Sequence, residues 1–430
     1  MPAVAARRSS DFRLAVLWHD RAEPPAVPTA PLPGHADVVV VGGGYGGLAA
    51  ARRLAAAGRH TVVLEADALG QGASTRNGGM VIPELKAGPV TLQRHYGPLG
   101  LRMHHEIGEA FDHIEQLIAD ESIDCDYERT GQLYLAHNEH SVTTLRHLAH
   151  EHLTIGDPVL FLERGELAGE VGSDAFTAGV VLPRTGGLDP ARYHAGLTRL
   201  ALAAGSEIHE RTRAIELSPG PNGATSVRTG RGTIEARDVI VATNATCDDL
   251  VPTLRRRVLP MGSFIIATEV LPTEVLDAVT PTRRMMVDTK NLLFYWRATP
   301  DGRIAFGGRK SLAPTTVDEA ADFLYEAMVR IHPMLEGVAI DLAWGGSVAL
   351  TLDRMPHVGR ADGAWYLTGC NGSGVALMTW LGHAVAGTVL GEQPPPSFTE
   401  LPFRPLPLGR LRRQWIPVAG RWFQWEDQRR

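Results

Sequence analysis

Four valines in a row, Val38 to Val41, follow Asp37 and run straight into a cluster of glycines. An unbroken β-branched run needs no alternation, so it predicts a parallel strand buried on both faces. Leu48 to Ala57 then shows helical spacing and many alanines, and Gly58 supplies the stop. "HTVVLEA" (60–66) returns to strand, which completes a β-α-β unit. Met103, Ile107, Phe111, Ile114, Leu117 and Ile118 fall on one stripe of residues 101–119 and predict an amphipathic helix. Another helix is predicted from Pro190, a proline suited to a first turn, to Gly205, and "RDVIVATNA" (237–245) reads as a further buried strand. Between about 258 and 310 the pattern shortens. "SFIIATEV", "LLFYWRA" and "IAFGGR", with the turn "TPDGR" before the last, predict an antiparallel sheet. Its alternation places Phe294 and Trp296 on one face and Tyr295 and Arg297 on the other. "VALMTWLGHAVAGTVLG" (375–391) predicts a last helix. The Pro-rich "AEPPAVPTAPLPGH" (22–35) predicts an extended surface run, with the folded part beginning after it.

At 430 residues the chain exceeds the size of a single core, so two domains are expected. A net charge of -6 offers no basic surface for nucleic acid or anionic lipid. Arg52 and Arg53 interrupt the early apolar run and no signal-like segment opens the chain, so a cytoplasmic protein without a transmembrane segment is expected. Cys125, Cys247 and Cys370 are odd in number and far apart, which speaks against a disulfide framework and a zinc site. "HHE" at His104–Glu106 continues as H-E-I-G-E rather than H-E-x-x-H, and is expected on a solvated helix face; no metal is expected. No nucleophile elbow and no phosphate-binding lysine loop occurs.

The glycines after the first strand carry the chemistry. Gly42, Gly44 and Gly47 fit G-x-G-x-x-G between a strand and a helix, where tight turning, close backbone approach and helix packing each need a missing side chain. The helix N-terminus adds N–H donors and partial positive charge for phosphates. Glu65 ends the next strand about 20 residues on, where a carboxylate accepts ribose hydroxyls and repels a 2′-phosphate. FAD or NAD is thereby favoured over NADP. "GQGASTRNGGMVIPE" (70–84) follows, a thin glycine-rich loop with Ser74, Arg76, Asn77 and Gly78 of the kind that covers a flavin.

Together with "GGLDPARYHAGLTRLA", "VIVATNA", "DGRIAFGG", "WGGSVALTLDRMPHVG" and "GCNGSGVALMTWLG", these motifs resemble the D-amino-acid oxidase and glycine/sarcosine oxidase superfamily of FAD-dependent oxidoreductases. The likeness is greatest to the gamma-glutamylputrescine oxidoreductase-like branch and runs in order from about 36 to 395. It implies a mixed α/β (α+β) fold: a Rossmann-type FAD-binding domain of the glutathione-reductase kind with an inserted antiparallel-sheet substrate domain. The expected boundaries are an N-terminal extended arm at 1–35; an FAD-binding domain from 36–90, 175–255 and 345–395; a substrate domain from 91–174 and 256–344; and a tail at 396–430. It also implies oxidation of a C–N bond, with hydride passing to FAD and the imine then hydrolysed, and an acceptor that is oxygen or another electron carrier. Gly42, Gly44, Gly47 and Glu65 would hold pyrophosphate and ribose, and Ser74, Arg76, Asn77 and Gly78 would lie along the flavin. Ala242, Thr243 and Asn244 would close over the dinucleotide, while Gly372, Ser373, Gly374 and Val375 would bring a helix N-terminus to the flavin edge.

Departures sharpen the reading. The family's substrate-carboxylate arginines align with Val348 and Gly372, so both anchors are missing; this favours an amine over a free or N-substituted amino acid, unless Arg297, Arg309 or Arg354 substitutes. The flavin-bearing cysteine of some relatives aligns near Gly346, so noncovalent FAD is expected, and the oxygen-activating lysine of sarcosine oxidases aligns near Ala305. Lysine occurs only at 86, 290 and 310. Arg297, Tyr295, Trp344, Cys370 and Ser373 are the candidate catalytic residues, with Met80 a further wall candidate. A flavin-binding subunit without its own turnover is the alternative of another class.

Overall fold

The computed structural model describes residues 6–246, 249–407, 418, 420–423 and 425–427. Two sheets carry it. The first is centred on His35–Val41, with Gly232–Val241 parallel on one side and Thr61–Leu64 then Glu207–His209 parallel on the other. Thr225–Thr229 pairs with the start of Gly232–Val241, and Ala364–Thr368 pairs with its end. The predicted β-α-β unit is present: the valines of the first strand and all of Thr61–Leu64 are buried, as strands sandwiched on both faces must be.

The glycine-loop helix, Tyr45–Ala56, follows the first strand and is alanine-rich because it is packed on several sides. Its outer side meets the last helix, Gly374–Leu390, which is apolar around most of its circumference and correspondingly buried. Small residues set how near the two backbones come. A Cβ on Gly382 would lie 1.9 Å from the Gly46 carbonyl oxygen, a distance no real atom pair tolerates.

The second sheet has nine strands, in the order Arg8–Arg13, Ile340–Leu350, Leu259–Thr268, Ile304–Gly308, Phe294–Ala298, Met285–Asp288, Gln132–Ala136, Ala178–Leu182 and Leu160–Glu163. The expected antiparallel strands between 258 and 310 lie at its centre, and the parallel exceptions are Arg8–Arg13 with Ile340–Leu350 and Met285–Asp288 with Gln132–Ala136. Ala178–Leu182 falls in this sheet rather than with the cofactor segments expected from residue 175, because it pairs throughout with Gln132–Ala136. The helix Val317–Ile331 covers one face and buries Leu324, Tyr325 and Met328 in one cluster with Phe294, Trp296 and Phe306. The stripe predicted at 101–119 forms part of the longer helix Pro98–Asp120, with Met103, Ile107, Phe111, Ile114 and Leu117 inward.

One expectation fails at the N-terminus. Residues 22–34 run without regular structure as predicted, but the fold does not begin after them: Arg8–Arg13 is an edge strand and Trp18 is 0% exposed. The hydrophobic surface that Trp18 covers belongs to strands far along the chain, including Ile265, Ala305 and Trp344. A local pattern carries no signal of that kind. Of the tail expected at 396–430, residues 408–417, 419, 424 and 428–430 lie outside the described residues, as does Cys247; Asp427 accepts hydrogen bonds from the backbone of Asn291 and Leu292 at 2.8 and 3.1 Å.

Gly382→Ala is expected to force the two helices apart and lower unfolding stability by about 1–3 kcal/mol, the usual scale of overpacking. Chemical unfolding of the variant beside Ala384→Gly, which opens space on the same helix, checks this.

Candidate active site

The glycines of the first turn do three separate jobs. Gly42 adopts φ 107°, a backbone shape that favours glycine, and a Cβ there would sit 3.0 Å from the Ala242 carbonyl oxygen. A Cβ on Gly47 would come within 1.9 Å of the Gly42 carbonyl oxygen, so this position lets the helix lie on the strand. Gly44 begins the helix and leaves room for Ser74, whose Oγ accepts from Tyr45 N–H at 3.1 Å. Glu65 closes the turn from below, accepting from Gly43 N–H at 2.8 Å and from Asp67 N–H at 3.1 Å. Sequence-distant Ala242 thus joins Gly42, Gly44, Gly47, Glu65 and Ser74 at the C-terminal ends of the parallel strands, the place where open α/β sheets bind ligands.

The 74–79 loop is held from both sheets. Asn77 accepts from Gly79 N–H at 2.8 Å through its side chain and from Trp18 Nε1 at 2.9 Å through its carbonyl. Trp344 Nε1 donates to the Arg76 carbonyl at 2.9 Å, and Arg76 donates to the Gln71 and Gly345 carbonyls. Trp18 and Trp344 meet edge to face, 6.3 Å apart. Tyr295 lies across Gly307, where a Cβ would strike its ring at 2.3 Å, and against Gly78 at 3.1 Å; its hydroxyl reaches Ser263 Oγ at 3.2 Å. Burial pushes the Tyr295 phenol up from its ordinary value.

Arg297 shares that face but is not available to a substrate. Its guanidinium donates to the Leu188 and Gly79 carbonyls at 2.9 and 3.2 Å, its charge sits 5.6 Å from the Trp18 ring centre, and burial lowers its pKa to about 10. Phe294 and Trp296 point the other way, into the core beneath Val317–Ile331, so the expected alternation is present, with Tyr295 and Arg297 both toward the loop. Met80 is partly buried and pairs with Gly187. Ala305 is buried with Trp18 and Trp344, and Lys290 is held by Asp288 at 3.6 Å and by the Phe294 ring at 4.9 Å.

The third group gathers at the last helix. Asn244 accepts from Gly369 N–H at 3.1 Å and donates to Cys370 Sγ at 3.2 Å, which ties the end of Gly232–Val241 to the loop before that helix. Gly372 has φ 97°, and Ser373 starts the helix ahead of Gly374 and Val375 without a capping hydrogen bond from its side chain. A cavity beside this helix start is lined by Cys370, Asn371 and Ser373 together with Glu84, Lys86 and Arg354. Glu84 and Lys86 escaped the sequence reading. The only local signal was a lone carboxylate two residues from a rare lysine just after the glycine-rich loop. The helix face expected at His104–Glu106 is solvated only in part: His105 is exposed, but His104 pairs with Asp157 at 3.0 Å, and Glu106 accepts from Ser397 N–H at 2.8 Å.

These residues fit FAD. Both helix starts are free of acidic residues in their first turn, Thr243 Oγ1 is buried without a partner, and a Cβ on Gly372 would meet nothing within 4 Å. Bound FAD supplies the two-electron redox chemistry that no side chain carries. Trp18→Phe keeps the ring but deletes the donor to the Asn77 carbonyl, so it is expected to leave the fold intact and raise the FAD dissociation constant several-fold. Recovery of FAD fluorescence on dilution measures it.

The profile of the family described as "FAD dependent oxidoreductase" matches residues 37–388. Gamma-glutamylputrescine oxidoreductase of Escherichia coli (strain K12) is 34% identical over 390 residues, covering 89% of this chain and 91% of that protein. Glycine oxidase of Geobacillus kaustophilus is 25% identical over 85% of this chain and 96% of its own. The crystal structure of a glycine oxidase from that organism superposes with a TM-score of 0.73 at 20% identity, covering 87% of this chain and 99% of that one. L-proline dehydrogenase from P. horikoshii superposes with a TM-score of 0.72 at 21% identity over 84% and 95%. The loop-bound glycine turn, the two helix starts free of acidic residues in their first turns and the match over residues 37–388 agree: this chain belongs to the DAO family of FAD-dependent oxidoreductases.

Proposed function

We propose that this FAD-dependent oxidoreductase, which acts on a C–N bond, takes an amine whose far end is acidic. The charge of the cavity beside the last helix carries the reading. Lys86 and Arg354 line it, and Arg309 lies within electrostatic reach of Cys370 and Tyr295 with its Nε buried and unpartnered. Lys86 and Arg354 outnumber the single carboxylate Glu84 in the lining, so this small space suits an anion. A γ-glutamyl amine of the kind named for the Escherichia coli relative carries both an oxidisable amine and a carboxylate.

In this reading Gly42, Gly44, Gly47 and Glu65 hold the pyrophosphate and ribose of FAD, and Ala242 and Thr243 close over it. Ser74, Arg76, Asn77 and Gly78 back the flavin, while Gly372, Ser373, Gly374 and Val375 turn a helix N-terminus toward its edge, where partial positive charge favours developing negative charge. Tyr295 walls the site, Trp344 supports the loop through the Arg76 carbonyl, and Cys370 with Ser373 borders the substrate. Gly346 offers no nucleophile for a covalent flavin bond, so FAD is noncovalent. Electrons leave to oxygen or to another carrier, and the protein works in the cytoplasm; no helix among the described residues is long and apolar enough to cross a membrane.

A free amino acid is the second reading, favoured by the same Arg309 and Arg354 acting as a replacement carboxylate anchor. Anaerobic titration with γ-glutamylated amines, simple diamines and free amino acids separates the two, read at the long-wavelength flavin band. Bleaching is expected from the γ-glutamylated amines at the lowest concentration; preferential bleaching by amino acids establishes the second reading. Arg354→Met is expected to raise the half-saturating concentration of a γ-glutamylated amine about tenfold, near 1.4 kcal/mol, and to leave a simple diamine unchanged.

A further inference from the structure

Glu84 belongs to two cavities. One is the cavity beside the last helix, with Cys370, Asn371 and Ser373. The other, about 40 Å³, is lined by His104, His152, Asp157 and Arg184 besides Glu84 and has room for roughly two waters. Glu84 sits on the loop between Met80–Val81 and the helix Pro89–Tyr96, and its Oε1 is buried with no hydrogen-bond partner. A buried carboxylate oxygen left unpaired is costly, which marks it as a group that meets something else during function.

The second cavity ends in a hydrogen-bonded cluster. Asp157 Oδ2 lies 3.0 Å from His104 Nε2 and 3.0 Å from His152 Nδ1, joining the helices Pro98–Asp120 and Glu139–Thr154. The Asp157 side chain is partly exposed, so the cluster opens to water. Among the described residues no group of three or more His, Cys, Asp or Glu side chains is placed to hold a metal ion.

We propose that Glu84 receives the proton of the substrate ammonium, and that the second cavity passes this proton to His152, Asp157 and His104. The proposal rests on the C–N reading above but not on the choice between amines and amino acids, since both arrive as ammonium ions. Hydride can leave the carbon next to nitrogen only when nitrogen has its lone pair, so the ammonium must first lose a proton. In that step an N–H bond breaks, an O–H bond forms on Glu84, and a neutral amine remains; nothing is oxidised or reduced. Water in the second cavity then takes the proton to the His152 and Asp157 pair, and Glu84 returns to its carboxylate.

The surroundings of Glu84 suit the task. Burial pushes its pKa above the ordinary carboxylate range, against the opposing pull of Lys86 on its own loop and His152 on the neighbouring helix. The other titratable or charged groups around it are Tyr134, Arg354, Cys370, Arg184, His104 and Asp157. The ionised form accepts the proton, so activity is present above the raised pKa and is lost as pH falls through it.

Stopped-flow flavin reduction in the holoenzyme, followed from pH 5 to 10, tests the assignment with Glu84→Gln. An alkylammonium near pKa 10 is only about one part in a thousand neutral at pH 7, so the variant is expected to lose roughly 10²- to 10³-fold there and to approach the unaltered enzyme near pH 10. Glu84→Ala should regain rate at pH 7 on addition of acetate, and His152→Gln should slow in dilute buffer and recover in concentrated imidazole. A readout without turnover is the affinity for an amine that has no hydrogen on the carbon next to nitrogen. Its fall toward low pH should disappear in Glu84→Gln. A loss equal at every pH, or an acid limb that stays in place in the variant, would overturn the role of Glu84. Indifference of His152→Gln to buffer would overturn the exit route. Absence of flavin reduction in the unaltered enzyme by amines and amino acids alike would instead overturn the C–N reading together with the proposal.

Discussion

The rest of this molecule depends on one close approach of backbones. Gly42 and Gly47 let the glycine-loop helix lie directly on the first strand, and Gly46 with Gly382 lets the last helix lie directly on the glycine-loop helix. None of these contacts has space for a Cβ. As a result two helices that begin more than 300 residues apart in the chain start in the same region, each without an acidic residue in its first turn. Helix N-termini are suited to anionic groups, so the packing that fixes these two helices also fixes the distance between two candidate binding ends.

The second organising feature is the way the 74–79 loop is fastened. A glycine-rich loop has few side chains of its own with which to hold still. The protein answers with donors from elsewhere: Trp18 from the N-terminal arm, Trp344 from the second sheet, and Arg297, whose guanidinium binds the Gly79 and Leu188 carbonyls. Each of these side chains is buried, and each donates to backbone carbonyls. Arg297 and the two tryptophans thereby become structural supports of the loop, while Tyr295 lays its ring against Gly78.

In the cavity beside the last helix the balance is reversed. Arg297 is satisfied and withdrawn, whereas Glu84 Oε1 and Arg309 Nε are buried without partners, and Lys86 and Arg354 line the same cavity as Glu84. Stability would be better served by pairing or removing such groups. Glu84, Lys86 and Arg354 gather in one cavity next to the helix start at Ser373.

By itself the sequence determined the local elements and the nucleotide turn. The Val38–Val41 run, the three spaced glycines, Glu65, the amphipathic stripe from Met103 to Leu117 and the alternation through Phe294–Arg297 are all readable because period and spacing are local properties of a chain. What the tertiary structure alone decided lies in contacts between distant segments. Nothing near Trp18 announces that its indole will reach Asn77, and the short arm around it reads as a surface extension. Arg297 looks as available as Arg309 until the carbonyls of Gly79 and Leu188 are placed against it. Glu84 and His152 belong to different elements and become neighbours of one cavity only when the helix Glu139–Thr154 packs beside the loop that carries Glu84. Hydrogen-bond satisfaction and burial are properties of the folded whole, so which charged side chains are spent on structure and which are left for chemistry is decided there.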